Sequence, residues 1–213
     1  MLEAIERALT DCRGFGQISI RKTNGGGFVL LHRDDEDGER LQTFRNAEDA
    51  AEIARWDDAG NYRPLKTAPN LRHGWRLQIV GLSELRLALD LFYPGRLAIF
   101  AAWKETHLKT TPLRETLDRQ SGMYRIAAKI SEEQINELVG NFCRSDGGCL
   151  RTILWKRDEH GTIPSTKLPE AKYDPRSATA PAIPLLCQEA CNLLVNECRK
   201  AVKMEGAAPS APK

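Results

Sequence analysis

An α+β fold is predicted for this 213-residue chain from three observations. Two β-rich runs flank Asn24-Gly25-Gly26-Gly27, apolar residues recur at helical spacing in several separate stretches, and no internal repeat links them. The expected architecture is a small mixed α/β-layer N-terminal domain over residues 1–130, then a mostly helical four-cysteine domain over 131–204. Residues 205–213, EGAAPSAPK, read as a disordered tail from their composition.

Each element has a local cause. Leu2, Ile5 and Leu9 keep helical spacing until Gly14 ends the first helix. Residues 17–33, QISIRKTNGGGFVLLHR, carry the hairpin signal, because glycine and asparagine tolerate the positive φ of a tight reversal. A short strand at Leu41–Phe44 follows the acidic turn Asp34–Gly38. Asn46 and Asp49 open a helix expected to end near Gly60. Another strand is expected at Trp75–Val80. Ser83 is expected to cap the helix LRLALDLF, which Pro94-Gly95 stops. Thr111-Pro112 begins a further helix through Gln120, since proline suits a first helical turn.

From Ser131 the pattern changes. Ser131 with Gln134 has the spacing of a capping box, and Ile135, Leu138, Val139 and Phe142 form one apolar stripe leading to Cys143. The loop Arg144–Gly148 returns the chain to Cys149, its two glycines allowing close backbone approach, and Leu150–Trp155 follows as a buried element. The polar stretch Lys156–Ala182 is a long loop. Pro184 is expected to open a helix running to about Lys203, with Cys187 and Cys191 on one face, about 6 Å apart along the axis.

Composition limits the function. A net charge of +2 gives no electrostatic reason to expect nucleic acid. The opening MLEAIERALTDCRG lacks the apolar run of a secretory signal, and no stretch reaches membrane-spanning length, so a cytoplasmic chain without a membrane partner is expected. In that compartment thiols stay reduced, and clustered cysteines point to metal; the competing reading is a secreted chain with three disulfides.

Four cysteines stand out: Cys143 and Cys149 as C-x5-C, Cys187 and Cys191 as C-x3-C. Four thiolates suit an iron–sulfur cluster or a structural zinc ion. Zinc knuckles use shorter spacers, so the five-residue spacer favours the larger object, while spacing alone leaves both open. Cys198 lies about 10.5 Å along a helix from Cys191, too far to share one cluster with it, and reads as a small core hydrophobe, as does Cys12.

Other segments carry weaker signals. Arg72-His73-Gly74-Trp75-Arg76 offers cations and an aromatic for an anion, but reads more simply as a solvated turn. Asp34-Asp35-Glu36-Asp37 lacks the ligand spacing of a calcium loop. Asp158-Glu159-His160-Gly161 reads as a surface turn. Gly25-Gly26-Gly27 is followed by no lysine-bearing helix, so it is no phosphate loop. His32, His73, His107 and His160 are scattered and form no paired motif, and no catalytic constellation is readable.

Asn141–Trp155, NFCRSDGGCLRTILW, and Pro184–Asn192, PLLCQEACN, resemble the cluster-binding segment of CbiX-related multidomain proteins. The stretches Asn70–Arg76, Ala88–Gly95 and Arg119–Tyr124 resemble the stabilising domain of the same family, so the likeness covers residues 15–203. It implies a [4Fe–4S] cluster held by Cys143, Cys149, Cys187 and Cys191. The chelatase-like domains of that family have no counterpart here. The expectation is an iron–sulfur redox or accessory component near tetrapyrrole or metal metabolism, partnered by a separately encoded chelatase-like protein or an electron donor. The alternative is a structural four-cysteine zinc protein acting as an interaction module.

Overall fold

The computed structural model describes residues 2–35, 40–63, 71–143, 149, 151–160 and 182–207. The readings made for the Arg144–Gly148 loop, for most of Lys156–Ala182 and for the end of the tail lie outside these residues. Among the described residues no helix is long and apolar enough to cross a membrane. Two compact units are present, each discontinuous in sequence. The first comprises Met1–Leu108, Leu150–Thr152 and Pro169–Leu186; the second comprises Lys109–Cys149, Ile153–Leu168 and Cys187–Lys213.

The first unit is built on a six-stranded mixed sheet. Its strands are β1 (Gly14–Phe15), β2 (Ile18–Lys22), β3 (Gly27–His32), β4 (Gln42–Phe44), β5 (Trp75–Val80) and β7 (Ala182–Ile183), in the order β4-β5-β3-β2-β1-β7. The hairpin β2–β3 closes where Asn24-Gly25-Gly26 predicts it, and Gly26 takes a φ of 78° in the turn. Registers Ile20↔Leu30, Phe28↔Ile79 and Leu30↔Leu77 put these side chains on one face, because paired residues share a side of the pleat. Helices α1 (Leu2–Asp11), α2 (Asp49–Ile53), α3 (Gly81–Phe92) and α4 (Arg96–Lys104) complete the unit. Leu85, Ala88, Leu89 and Phe92 are the buried stripe of α3, and Phe92 stacks on Trp75 of β5 with ring centroids 5.0 Å apart.

Several boundaries differ from expectation. α3 starts at Gly81 rather than at Ser83, and the Glu84 carboxylate accepts the Val80 N–H at 2.8 Å. α2 ends at Ile53, where the chain turns through Asp57–Gly60 so that Trp56 and Tyr62 form a bridge. Asp49 accepts the Asn46 N–H at 3.2 Å, which is the reciprocal half of the expected cap. α4 follows Gly95 directly and buries Leu97, Phe100 and Ala101.

The second unit contains α5 (Leu113–Asp118), a 3-10 segment Gly122–Lys129, α6 (Glu132–Leu138) running into a π turn Val139–Cys143, and α7 (Asn192–Ala207). It begins near Lys109, not near residue 131, because Leu113, Leu117, Ala127 and Ile130 share one core with Ile135, Val139, Leu194 and Val195. Backbone bonds fix the start: Thr111 N–H donates to Gln188, Leu113 N–H to Lys156 and Arg114 N–H to Arg157. The Ser131 capping box is complete, both side chains bonding the opposite backbone N–H. α7 extends to Ala207, into the stretch expected to be tail.

The largest departure concerns residues 182–191. No helix begins at Pro184; Ala182–Ile183 pairs in parallel with β1, and Leu186–Cys187 forms β8, which pairs with β6 (Thr152–Ile153). Pairing satisfies these backbone groups before the helix at Asn192, so tertiary contacts override local helical preference.

Gly16 tests the packing of the first unit. It sits at φ 61°, and a Cβ there meets the Tyr93 ring at 2.7 Å and Leu185 at 2.9 Å. Tyr93 is buried, and its hydroxyl accepts the Gln17 N–H at 3.0 Å, so the ring has little room to yield. Gly16→Ala is expected to cost about 2–4 kcal/mol, combining left-handed backbone strain with overpacking. Gly25→Ala, with open space around its Cβ, is expected to stay within about 0.5 kcal/mol. Urea unfolding of both variants checks the contrast.

Candidate metal centre

Cys143 is delivered by a helix whose start and buried face are both encoded. Ser131 and Gln134 fix the first turn of α6, and Ile135 and Val139 enter the core with Leu138 and Phe142 packed against it. The last turn widens to π geometry and ends at Cys143, which is buried. Such widened turns interrupt the α-helical ladder and recur at functional sites. The Cys149 N–H then reaches back to the Phe142 carbonyl at 3.3 Å, which brings the second thiol beside the end of the same helix.

The other pair stands on the returning chain. Leu154 N–H donates to the Cys187 carbonyl at 3.0 Å, and the indole N–H of buried Trp155 donates to Cys187 Sγ at 3.3 Å. The Cys187 thiol donates in turn to the Glu189 carbonyl at 3.1 Å. That proton is the one a ligating thiolate must lose. Cys191 occupies the N-cap of α7, its carbonyl accepting the Val195 N–H at 3.1 Å. The expected helical face shared by Cys187 and Cys191 is therefore absent, but a helix N-terminus does serve the pair, behind Cys191 rather than Cys187.

All four candidate ligands lie in the second unit, and none of them is in a disulfide. Cys143 and Cys187 belong to one apolar cluster, and Cys191 packs against it. A tetrahedral zinc ion with bonds of about 2.3 Å would hold its sulfurs about 3.8 Å apart. A cuboidal cluster spreads its four thiolates more widely, and the donor set fits it in number and type.

Cys198 and Cys12 behave as core residues. Cys198 is fully buried among Leu194 and Val195, and burial pushes its thiol up to about 11. Burial also raises the Cys12 thiol, which donates to the Gly14 carbonyl at 2.9 Å in the other unit.

Two features escaped the sequence reading. The Trp155 hydrogen bond to Cys187 joins residues 32 apart and has no local signature. More consequentially, His32 and His73 are not scattered: their rings lie 3.9 Å apart at the centroids. Asp35 joins them, so the acidic turn and the Arg72–Arg76 segment meet instead of standing as separate solvated turns. A signal existed, because strand alternation puts His32 on the same face as Phe28 and Leu30.

Two family models match consecutive parts of the chain, a DR2241 stabilising domain over residues 3–107 and a 4Fe-4S iron-sulfur cluster binding domain over residues 105–200. Together the two matches cover residues 3–200, so the chain is similar to a stabilising domain followed by an iron–sulfur cluster binding domain. Among solved structures it is similar to DR2241 from Deinococcus radiodurans, a multi-domain protein with structural similarity to chelatases and two additional novel domains. The identity is 27% with a TM-score of 0.74, covering 95% of this chain and 41% of that one. This chain therefore spans well under half the length of that relative. No curated protein matches.

The raised thiol of Cys198 has a direct consequence. Relative to an ordinary cysteine, its thiolate fraction falls on the order of 100-fold, and burial blocks reagents as well. Iodoacetamide at pH 8 is expected to leave Cys198 unmodified until the protein unfolds, as peptide mass spectrometry reads directly.

Proposed function

We propose that the protein holds a [4Fe–4S] cluster on Cys143, Cys149, Cys187 and Cys191 and works as a redox or accessory component beside a chelatase-like partner. The observation that carries this reading is the meeting of two distant cysteine segments in one unit, where Cys143 and Cys187 share one apolar cluster and Cys191 packs against it. The cluster-binding family match over residues 105–200 supports it. The likeness to a chelatase-like protein supports a setting in tetrapyrrole or metal metabolism, with a separately encoded chelatase or an electron donor as partner.

When bound, the cluster supplies reversible one-electron chemistry. The chain's own residues set its conditions. Trp155 gives a sulfur-directed N–H at Cys187, Cys191 stands at the N-terminus of α7, and the apolar cluster around Cys143 and Cys187 limits water. Ion pairs brace the surroundings: Glu132 binds Arg157 at 2.8 Å and Arg114 at 3.2 Å, and Arg119 reaches Glu189 at 3.3 Å. These pairs are exposed, so their contribution is positional more than energetic.

Anaerobically purified protein is expected to be brown, with four irons and four acid-labile sulfides per chain. Cys143→Ser and Cys187→Ser should lose most of the iron, while Cys198→Ser retains it. Colourless protein with one zinc per chain would establish the structural alternative instead.

A second outcome concerns Trp155. Hydrogen bonds to sulfur stabilise the reduced, more negative cluster, so Trp155→Phe should lower the midpoint potential by tens of millivolts, 59 mV being about tenfold for one electron. Potentiometric titration, with iron content unchanged, reads the shift.

A further inference from the structure

The first unit contains a second group of ligand-type side chains, unrelated to the cysteines. His32 is the last residue of β3, Asp35 ends the 3-10 turn Arg33–Asp35, and His73 precedes β5. Topology brings them together: β3 and β5 are antiparallel with Leu31 opposite Arg76, so the end of one strand lies beside the start of the other. The His73 Nδ1 lies 3.3 Å from Asp35 Oδ1, and the Gly74 N–H holds the other carboxylate oxygen at 2.7 Å. Ring nitrogens of both histidines and a carboxylate oxygen of Asp35 all lie within 4.8 Å of one another.

His32 is the anomaly that calls for a ligand. It faces the core side of the sheet, is completely buried, and among the described residues its Nε2 has no hydrogen-bond partner. An orphaned buried polar atom costs about 1–3 kcal/mol, and a structure retains one where something else satisfies it. Its other nitrogen is engaged: Nδ1 lies 3.2 Å from the Asp34 N–H and 3.7 Å from the Asp34 carboxylate. Burial, reinforced by the neighbouring His73, pulls the His32 imidazole down to about 4, so the ring is neutral near pH 7. A neutral imidazole is the form that ligates metal.

We propose that His32, Asp35 and His73 bind a single divalent first-row transition ion of the zinc type. Two imidazoles and one carboxylate are the donor set such ions take, whereas calcium and magnesium prefer oxygen. Bonds of about 2.0–2.1 Å at tetrahedral or octahedral angles leave adjacent donors about 2.8–3.4 Å apart, and the His73–Asp35 separation of 3.3 Å already matches. Binding at His32 Nε2 requires that nitrogen to be unprotonated, so the ring proton passes to Nδ1, which gives up the Asp34 N–H it now accepts and takes the Asp34 carboxylate, 3.7 Å away, as its partner. Gly74 N–H does the same for Asp35. Three protein donors leave at least one position open on the exposed side, where His73 lies.

The test uses the full chain with its iron loaded, so that the cysteines do not compete, and Zn²⁺ as the probe. Anaerobic calorimetry is expected to show one zinc per chain. His73→Ala and Asp35→Asn should each weaken binding at least tenfold, the lower end of what losing even an outer-shell partner costs, with iron content unchanged. Imidazole 1H–15N spectra should show His32 and His73 shifting with zinc while His107 and His160 stay in place. Absence of zinc uptake, uptake unchanged in both variants, or an unmoved His32 resonance would each overturn the proposal. Cys143→Ser, which removes a cluster ligand, should leave this zinc site intact, so the two metal assignments fail separately.

Discussion

The arrangement of the second unit depends on the chain returning beside itself at Leu154–Trp155 and Cys187. One backbone bond, from Leu154 N–H to the Cys187 carbonyl, and one indole bond to the Cys187 sulfur fix the returning segment at the cysteine. Around that point the core from Leu113 to Val195 closes, with Cys143 on one side of the sequence gap and Cys187 on the other. That pairing acts together with the shared core of α6 and α7 to bring the two cysteine segments together. Loop closure over such a separation is entropically costly, and metal binding is one way a small domain offsets it.

The polypeptide provides the four thiols with unlike supports. Cys143 comes from the widened end of a capped helix, Cys149 from a backbone bond to that helix, Cys187 from a strand and Cys191 from a helix N-cap. The two donor sets also divide by chemistry. The thiols proposed as cluster ligands lie in one unit and the imidazoles and carboxylate of the proposed zinc site in the other, and donor sets so unlike select different metals.

Local signals were legible and non-local ones were not. The Ser131–Gln134 cap, the hairpin at Asn24–Gly26 and the strand Trp75–Val80 follow from short-range rules, and the structure has them. The stretch Pro184–Cys191 looked helical because its proline and apolar residues suit a first turn. Its true state depends on β1 and β6, partners far away in sequence. The domain boundary moved for the same reason, since α5 contributes its buried face to the core of the following helices. His32 and His73 were separated by 41 positions, and only strand register reveals that they converge. Periodicity alone did put His32 on a core face, where a histidine is unexpected.

The central claim is that the four cysteines converge on one iron-containing core. Anomalous diffraction at the iron edge from anaerobically grown crystals tests it most directly. The account predicts one compact iron peak bonded to the sulfurs of Cys143, Cys149, Cys187 and Cys191. A zinc-edge peak at that position, or iron bound to Cys198 in place of any of the four, would contradict it.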